Sequence, residues 1–311
     1  MSVLLFPGQG SQTIGMGLEF YNNFDIVKKI FQEADDKLSY SISKIILEGP
    51  ESDLQLTKNT QPAILTVSYS IFEVLKREFG LNLNSYKYFA GHSLGEYSAL
   101  VSSECLSFSD AIYLLSERGK AMQNAVPIGE GLMIAVLGLK TDEIKNLIDL
   151  RENKKGVCEI ANDNADGQVI ISGDKQSITN FQNLLKQKKI KSIPLKVSAP
   201  FHCLLMKPAA DNMKEKINNT NFNKPKIAVI SNVTAVPEEE ITKIKKLLID
   251  QIFSTVRWRE SLIYMNKQGI DNFIEIGPGK VLTGMVKRTI KEANCFSINS
   301  IADIKNLNDR I

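Results

Sequence analysis

The segment Gly91-His92-Ser93-Leu94-Gly95 constrains this chain more than any other part of it, because it fits the G-x-S-x-G elbow that holds a serine on a tight strand-to-helix turn. The aromatic and apolar run Tyr86 to Ala90 precedes it, as a short buried strand would, and residues 94–101 are good helix formers. The flanking glycines permit a sharp turn and close packing. The pattern predicts an α/β fold with Ser93 as a candidate nucleophile, and a chance match in a surface turn is the alternative.

A catalytic serine needs a base, and near neutral pH that base is usually histidine. The chain has two histidines. His92 is adjacent to Ser93, where neighbouring side chains diverge, so the sequence points to His202. His202 follows Pro200 in a loop and precedes a predicted helix over residues 204–214, a placement typical of a cleft. A purely structural role for His202 is the alternative, and it loses weight if Ser93 is catalytic.

Composition restricts the class of protein. With 311 residues and 43% hydrophobic content, the chain can bury a sizeable core and form two structural units. No stretch approaches ~20 apolar residues and the amino terminus lacks signal-peptide features, which predicts a cytoplasmic protein that does not bind membranes. The four cysteines are scattered without a C-x-x-C pair, so no zinc or redox motif is predicted. A net charge of +3 is too small to indicate nucleic-acid binding but is compatible with an acidic protein partner.

A glycine-rich loop, Pro7 to Gln12, follows a predicted first strand over residues 3–6. It is not a dinucleotide-binding fingerprint, because Thr13 stands where the third glycine is required, and no P-loop pattern occurs in the chain. Backbone N–H groups of such a loop, beside a strand end, are suited to donate to an oxyanion.

Residues 129–197 carry a different pattern, which predicts the element order β-α-β-β-α-β. The predicted strands and helices are strands 131–137, 157–161, 168–172 and 191–195, and helices 141–150 and 175–189, capped by Thr141 and Asp174. This order is the ferredoxin-like arrangement.

The sequence patterns in the rest of the chain predict a larger α/β unit. Helices are expected to begin at Thr60 and Ser109, and strands are expected over residues 227–231 and 272–276. We therefore predict an α/β-hydrolase-like catalytic domain from residues 1–128 and 198–311, interrupted by a ferredoxin-like small domain at residues 129–197. The cleft between them is the expected site.

Five short motifs are spread over almost the whole chain. They are Phe6–Gln12, Gly91–Glu96, Arg118–Gly119, Ala199–Cys203 and Glu275–Gly279. Together they resemble the malonyl-CoA:acyl carrier protein transacylases, a family that includes the housekeeping fatty-acid enzyme and the acyltransferase domains of polyketide synthases. The resemblance implies that a serine takes malonyl from malonyl-CoA and passes it to the phosphopantetheine thiol of acyl carrier protein, in fatty-acid biosynthesis, with no metal or redox cofactor.

The resemblance also implies roles for single residues. Ser93 is expected to attack the thioester while His202 removes its proton, and the backbone N–H groups of Gln9 and Leu94 are expected to hold the oxyanion. Arg118 matches the family's arginine, whose planar fork binds the malonyl carboxylate in a way that lysine cannot reproduce. A solvated helix arginine is the alternative reading of that position.

The remaining pocket residues rest on the same resemblance. Phe201 is expected to limit room for a branched methyl, which is worth only ~1–3 kcal/mol and predicts preference rather than exclusion. No aspartate can be assigned as a third triad member, and the resemblance suggests that backbone carbonyls orient the histidine. Gln251 matches a family glutamine near that site. Met122 and Asn162 complete the set, although Asn162 is equally well explained as a turn residue.

Two basic clusters are candidate docking surfaces for an acidic carrier protein, or simply solvated faces: Lys186, Lys188, Lys189 and Lys191, and Lys287 with Arg288. Two other functions stay open. A serine esterase or thioesterase would use the same Ser93 and His202 but send water to the acyl-enzyme, and it would have no use for Arg118 in its acyl pocket. A non-catalytic scaffold that binds the carrier protein is the third possibility.

Overall fold

The computed structural model describes residues 1–151, 155–195 and 197–308. The strands of this part are β1 (Ser2–Phe6), β2 (Tyr86–Gly91), β3 (Gly131–Leu137), β4 (Cys158–Ala165), β5 (Gln168–Asp174), β6 (Ser192–Pro194), β7 (Val229–Ile230), β8 (Pro237–Glu238), β9 (Asn272–Ile276) and β10 (Asn294–Ile298). The α-helices are α1 (Leu18–Asn23), α2 (Asp25–Leu38), α3 (Ile42–Glu48), α4 (Glu51–Leu54), α5 (Thr57–Glu78), α6 (Gly95–Ser102), α7 (Phe108–Asn124), α8 (Thr141–Asp149), α9 (Lys175–Gln187), α10 (Lys207–Asn219), α11 (Ile241–Gln251), α12 (Trp258–Lys267), α13 (Val281–Thr289) and α14 (Ile301–Asn308).

The larger sheet has six strands in the order β10-β9-β1-β2-β7-β8. The first five are parallel neighbours, and β8 pairs with β7 in the antiparallel sense. Strand β1 is apolar and completely buried from Val3 to Phe6, as expected where helices cover both faces of a parallel sheet. Phe6 pairs with Gly91 at the carboxyl ends of β1 and β2. This register brings the glycine-rich loop beside the serine elbow.

The smaller sheet has four antiparallel strands in the order β4-β5-β3-β6. Its elements follow one another as β3-α8-β4-β5-α9-β6, which confirms the predicted element order. Side chains alternate along β3 because successive residues of a strand point to opposite faces. Ile134 and Val136 pack into a cluster under α8 and α9, whereas Met133 and Ala135 join the main core on the other face. That second face is the one turned toward the larger sheet.

Strand β4 ties the two sheets together. The backbone of Val256, just before α12, donates to the Ala161 carbonyl (N to O, 2.9 Å) and accepts from the Asp163 N–H at 3.0 Å. The Asp163 carboxylate also accepts from Nε and Nη2 of Arg259, each at 2.9 Å to one of its oxygens. The carboxyl-terminal half of β4 is therefore held in a defined position against the larger unit.

The predicted cap of α5 is wrong by four residues. The cap is Leu56 and the helix begins at Thr57, with Pro62 in its interior, whereas the sequence suggested Thr60 as the cap. The reason is that the Leu56 carbonyl already accepts from the N–H groups of Asn59 and Thr60, at 2.7 and 2.8 Å, so the first turn closes earlier.

Other predicted boundaries are also corrected. Helix α7 is capped by Ser107, whose hydroxyl accepts from the Asp110 N–H at 3.0 Å, and not by Ser109. Helix α8 is capped by Lys140 instead of Thr141, because the Glu143 carboxylate accepts from the Lys140 N–H at 2.8 Å.

The predicted cap Asp174 of α9 is confirmed, since its carboxylate accepts from the Ser177 N–H at 2.8 Å. Residues 204–206 form a 3₁₀ turn, and α10 continues from it to Asn219. The predicted strand over residues 227–231 shrinks to the two residues of β7. No helix in the described ranges has both the length and the apolar character needed to cross a membrane.

Candidate active site

The elbow after β2 can only be built with glycine at both ends. A Cβ on Gly91 would lie 1.9 Å from the Gly95 carbonyl oxygen, and a Cβ on Gly95 would lie 2.2 Å from the Phe6 carbonyl oxygen. Ser93 between them has a left-handed backbone conformation with φ 53°, which residues other than glycine rarely adopt. The strained turn presents the hydroxyl at the carboxyl edge of the larger sheet, before the first turn of α6.

The hydroxyl of Ser93 meets the imidazole of His202, which is 109 residues away in the sequence. The distance from Ser93 Oγ to His202 Nε2 is 2.8 Å. On the other side of the ring, Nδ1 lies 2.9 Å from the backbone carbonyl oxygen of Gln251. Because a carbonyl oxygen only accepts, Nδ1 carries the proton and Nε2 is left to accept one from the hydroxyl.

The environment keeps this imidazole neutral. Burial, helped by the nearby positive charge of Arg118, lowers the pKa of His202 to about 3. The other histidine does not compete for the hydroxyl, since His92 Nε2 is hydrogen-bonded to Asn164 Oδ1 at 2.8 Å. A neutral imidazole with a free lone pair next to a hydroxyl can act as a general base.

Arg118 extends from α7 into the same site and is 1% exposed. Its Nη1 donates to Gln61 Oε1 at 2.7 Å, and its Nη2 donates to Gln251 Oε1 at 2.8 Å and to Ser93 Oγ at 3.2 Å. Burial lowers the pKa of Arg118. Among the described residues its Nε has no hydrogen-bond partner. The guanidinium is therefore a buried cation held by neutral oxygens, an arrangement that can bind an anionic group.

A cavity of about 170 Å³ opens over these groups. Of the nine residues that the sequence singled out, eight line it: Gln9, Ser93, Leu94, Arg118, Met122, Asn162, Phe201 and His202. Gln251 does not line the cavity and lies behind its wall, with its side chain fully buried. The nine residues come from α7, α11, β4 and the segments that follow β1, β2 and β6, which the chain order alone does not bring together.

The two predicted oxyanion donors lie on facing loops. Gly8 packs so closely against the elbow that a Cβ there would be 2.5 Å from the His92 carbonyl oxygen. Gln9, which follows it, and Leu94 both contribute to the cavity wall. Within residues 1–151, 155–195 and 197–308, neither backbone N–H donates a hydrogen bond to the protein. Two such donors beside a serine hydroxyl are suited to hold a developing oxyanion.

The smaller sheet supplies the opposite wall of the cavity. Met133, Ile170 and Leu195 give it an apolar surface, and the Phe201 ring completes that surface. The Phe201 N–H donates to Met133 Sδ at 3.3 Å. The wall leaves room for an acyl chain of small size beside the charged fork.

Sequence reasoning missed several residues that support the site. Asn232 is fully buried, accepts from the Ser93 N–H with its Oδ1 at 2.7 Å, and donates from Nδ2 to the Gly91 carbonyl at 2.7 Å. Gln61 accepts from Arg118 Nη1, whereas its position before a proline indicates only the start of a helix. A single asparagine or glutamine of this kind belongs to no recognisable functional motif in the sequence. Glu96, in contrast, is the last residue of the elbow motif Gly91–Glu96, and that motif could have indicated it.

The chain matches known proteins over nearly its whole length. Residues 3–309 match the sequence model of the family described as "Acyl transferase domain". The malonyl CoA-acyl carrier protein transacylase of Bacillus subtilis (strain 168) is 44% identical over 296 residues, which cover 95% of this chain and 92% of that protein. The protein of the same name from Escherichia coli (strain K12) is 39% identical over 296 residues, or 95% and 94% of the two chains.

Solved structures agree with these matches. The acyl-carrier-protein-S-malonyltransferase of Bartonella henselae superposes with a TM-score of 0.95 at 40% identity, covering 99% of this chain and 98% of that one. A type II PKS acyl-carrier protein in complex with its malonyl-transacylase gives a TM-score of 0.95 at 36% identity, covering 100% and 99%. The chain belongs to the acyl transferase family and, within it, to the malonyl CoA-acyl carrier protein transacylases.

Proposed function

We propose that this protein transfers a malonyl group from malonyl-CoA to the phosphopantetheine thiol of an acyl carrier protein, in fatty-acid biosynthesis, through a malonyl ester of Ser93. One observation carries the proposal: Ser93 Oγ lies within hydrogen-bond distance of both His202 Nε2 and Arg118 Nη2. The first contact suits any serine acyl chemistry. The second sets a buried positive charge beside the acyl site, which an ordinary esterase does not need.

The first half-reaction loads the serine. As Ser93 Oγ attacks the thioester carbonyl of malonyl-CoA, His202 Nε2 takes the hydroxyl proton and its Nδ1–H stays bonded to the Gln251 carbonyl. The oxyanion of the tetrahedral intermediate is held by the backbone N–H groups of Gln9 and Leu94. The intermediate collapses, the C–S bond breaks, and the imidazolium protonates the departing thiolate of coenzyme A.

The second half-reaction reverses these steps with a different thiol. His202 takes the proton of the phosphopantetheine thiol, the thiolate attacks the malonyl ester, and the ester C–O bond breaks. The proton then returns to Ser93 Oγ. The chemistry needs no metal or redox cofactor. The acyl group passes from one thioester to another of similar free energy, and no atom changes its oxidation state.

Arg118 selects the acyl group in this proposal. When a malonyl carboxylate enters, it replaces neutral oxygens with an anionic partner for the buried fork, which forms shorter and stronger hydrogen bonds. Phe201 and Met122 bound the space around the methylene group, while Asn162 lies on the side of the smaller sheet and Gln251 holds Arg118 from behind. The expected result is a preference for malonyl over larger or uncharged acyl groups.

We infer a finer domain division from the two sheets. Residues 1–128 and 198–311 form the α/β-hydrolase-like catalytic domain, and residues 129–197 form the inserted ferredoxin-like small domain. All neighbours in the smaller sheet are antiparallel, and its first and third strands are adjacent, as the ferredoxin-like arrangement requires. The cytoplasmic location and the choice between the two basic clusters as the carrier docking surface stay predictions.

Intact-protein mass spectrometry after addition of malonyl-CoA tests the proposed function. We expect a malonyl adduct that maps to Ser93, persists in water and is discharged by a pantetheine thiol or a carrier protein. The adduct should be absent in Ser93→Ala and present in Ser98→Ala, a matched control on helix α6, which follows the elbow, at a residue that does not line the cavity. Rapid hydrolysis of the adduct would indicate an esterase instead, and the lack of any adduct would contradict the proposal.

A further inference from the structure

Glu96 is a buried carboxyl group that the proposed chemistry does not use. It lies in the first turn of α6, three residues after Ser93, and is 4% exposed. Its Oε2 accepts from the Gln251 side-chain Nε2 at 2.7 Å and from the Asn232 backbone N–H at 3.0 Å. It forms no salt bridge within the described residues. Both of its hydrogen-bond donors are neutral, and the nearby Arg118 charge only partly offsets the effect of burial, which raises the pKa of Glu96. A buried carboxylate held in this way is costly, so a functional reason is worth seeking.

The two partners of Glu96 each hold reacting groups. Gln251 accepts from Arg118 Nη2 with its Oε1 at 2.8 Å, and its backbone carbonyl accepts from His202 Nδ1 at 2.9 Å. Asn232 accepts from the Ser93 N–H with its Oδ1 at 2.7 Å. The Glu96 carboxylate is therefore connected to Ser93, His202 and Arg118 through one intermediate residue, either Gln251 or Asn232.

Glu96 also helps to set which way the Gln251 amide faces, together with the Ser93 backbone carbonyl, which accepts from Gln251 Nε2 at the longer distance of 3.1 Å. The oxygen and nitrogen ends of a glutamine amide have nearly the same shape, so hydrogen bonds alone distinguish its two orientations. An ionised carboxylate can only accept, and it therefore binds the Nε2 end of Gln251. The Oε1 end is then turned toward the Arg118 guanidinium, which can only donate. Without Glu96, Gln251 Nε2 loses its shortest hydrogen bond and keeps the longer one to the Ser93 carbonyl, so the amide is held less firmly in the orientation that Arg118 needs.

We propose that Glu96 is a positioning residue for acyl transfer: it is the shared acceptor that orients Gln251 and Asn232, and through them Arg118, His202 and Ser93. The proposal rests on the proposed function for its malonyl readout. Its serine readout is independent of that function, because the reactivity of Ser93 can be measured with a neutral reagent.

The test compares two substitutions at pH 8, above the pKa of about 7 to which burial raises Glu96. Glu96→Gln keeps a side-chain oxygen that can accept from both partners, whereas Glu96→Ala removes it. Ser93 reactivity is measured as the rate of inactivation by phenylmethylsulfonyl fluoride, and acyl selection as the ratio of malonyl to acetyl transfer. We expect Glu96→Ala to slow inactivation by up to about 10²-fold, the cost of a misplaced reacting group, and to lower the ratio. Glu96→Gln should restore most of both.

The matched control is Glu73, also 4% exposed, whose carboxylate pairs with Arg77 on α5 away from the cavity. Glu73→Ala should change thermal stability and leave both readouts at the wild-type value. If Glu96→Ala does not fold, Glu96→Met supplies the same loss of the acceptor with the volume retained. Wild-type rates in a folded variant that lacks the acceptor would overturn the proposal, and so would failure of Glu96→Gln to restore them. A wild-type protein that reacts with the reagent but takes no malonyl would refute the proposed function alone.

Discussion

Arg118 has an unusual electrostatic position for a single residue. It is buried, charged, and held by the side-chain oxygens of Gln61, Gln251 and Ser93, none of which is anionic. A group held in this way keeps most of its capacity for an incoming carboxylate, because no resident anion has to be displaced. The effect of replacing it should therefore depend on the charge of the acyl group.

We expect Arg118→Ala to lose malonyl transfer while acetyl transfer is kept or rises. Loss of one member of a buried, hydrogen-bonded charge pair costs about 2–5 kcal/mol, which corresponds to roughly 30-fold to several thousand-fold in kcat/KM for malonyl-CoA. Arg118→Lys should recover little, since an ammonium cannot form two parallel hydrogen bonds. Steady-state rates with malonyl-CoA and acetyl-CoA provide the comparison, and an equal loss with both substrates would remove the carboxylate-binding role.

His202 should remain neutral far below the usual pH of histidine titration. Its pKa is lowered to about 3, against an ordinary value of 6.5, so between these values the unfolded chain binds a proton that the folded chain does not. The contribution of this group to the free energy of unfolding is therefore complete above pH 6.5 and is lost as the pH falls toward 3. The contribution of Glu96 to the free energy of unfolding has the opposite pH dependence. Because its pKa is raised from 4.5 to about 7, that contribution is lost as the pH rises through this range.

Because these two contributions oppose each other, the imidazole itself should be observed. In a His92→Gln variant, ¹⁵N chemical shifts report His202 alone, since the chain has two histidines. We expect the signals of a neutral ring protonated at Nδ1 throughout the range from pH 8 to 5. A titration midpoint near 6.5 would show that the ring is solvated and not held against the Gln251 carbonyl.

At the scale of elements, the Glu275–Gly279 motif acts by holding a helix. The Glu275 carboxylate accepts from the Leu282 and Thr283 N–H groups at 3.0 and 2.7 Å and from the Thr283 hydroxyl at 2.8 Å. It thereby satisfies donors in the first turn of α13 that have no partner within the helix. Gly277 is needed for the close approach, since a Cβ there would lie 2.4 Å from Ser68 Oγ. Helix α13 in turn supplies Leu282 and Met285 to the cavity wall.

Glu275→Ala should lower the free energy of unfolding by about 2 kcal/mol, the upper end for a lost helix cap, because the freed N–H groups are buried. The KM for malonyl-CoA should rise, since the start of α13 loses its anchor. Glu275→Gln keeps one acceptor and should lose less on both measures. Urea denaturation and steady-state kinetics check these expectations, and an unchanged unfolding midpoint in Glu275→Ala would exclude the anchoring role.

At the scale of the whole molecule, the site depends on the junction between the two sheets. Asn162 lines the cavity, and Asn164 both lines it and binds His92, yet both belong to β4 of the smaller sheet. Between them lies Asp163, 1% exposed, whose carboxylate pairs with Arg259 of α12. This ion pair fixes one wall of the cavity against the other.

Arg259→Ala should be strongly destabilising, because it leaves the buried Asp163 carboxylate without its cation. Such a loss costs about 3–5 kcal/mol. The removal of Lys145, whose salt bridge with Asp142 is exposed, should cost close to zero and serves as the control. Urea denaturation of both variants gives the comparison. If the two variants unfold at the same midpoint, the junction does not depend on this pair.

The sequence by itself determined the local features of this protein. The elbow, the β-α-β-β-α-β order of residues 129–197, the cap at Asp174 and the candidate pair Ser93 and His202 follow from backbone sterics, side-chain periodicity and the chemistry of single residues. These causes act over a few residues, so a linear pattern records them. Helix starts were predicted less well, because several neighbouring acceptors compete for the N–H groups of the first turn, such as the Leu56 carbonyl, the Ser107 hydroxyl and the Glu143 carboxylate.

Only the tertiary structure decided which groups meet. Ser93 contacts three residues that are each more than 100 positions away in the sequence. They are His202, at 2.8 Å, Gln251, which lies behind the cavity, and Asn232. A buried amide can satisfy its donors and acceptors in many ways, and packing selects one of them. Neither sequence spacing nor residue type specifies that choice, and it determines how Ser93, His202 and Arg118 are held together.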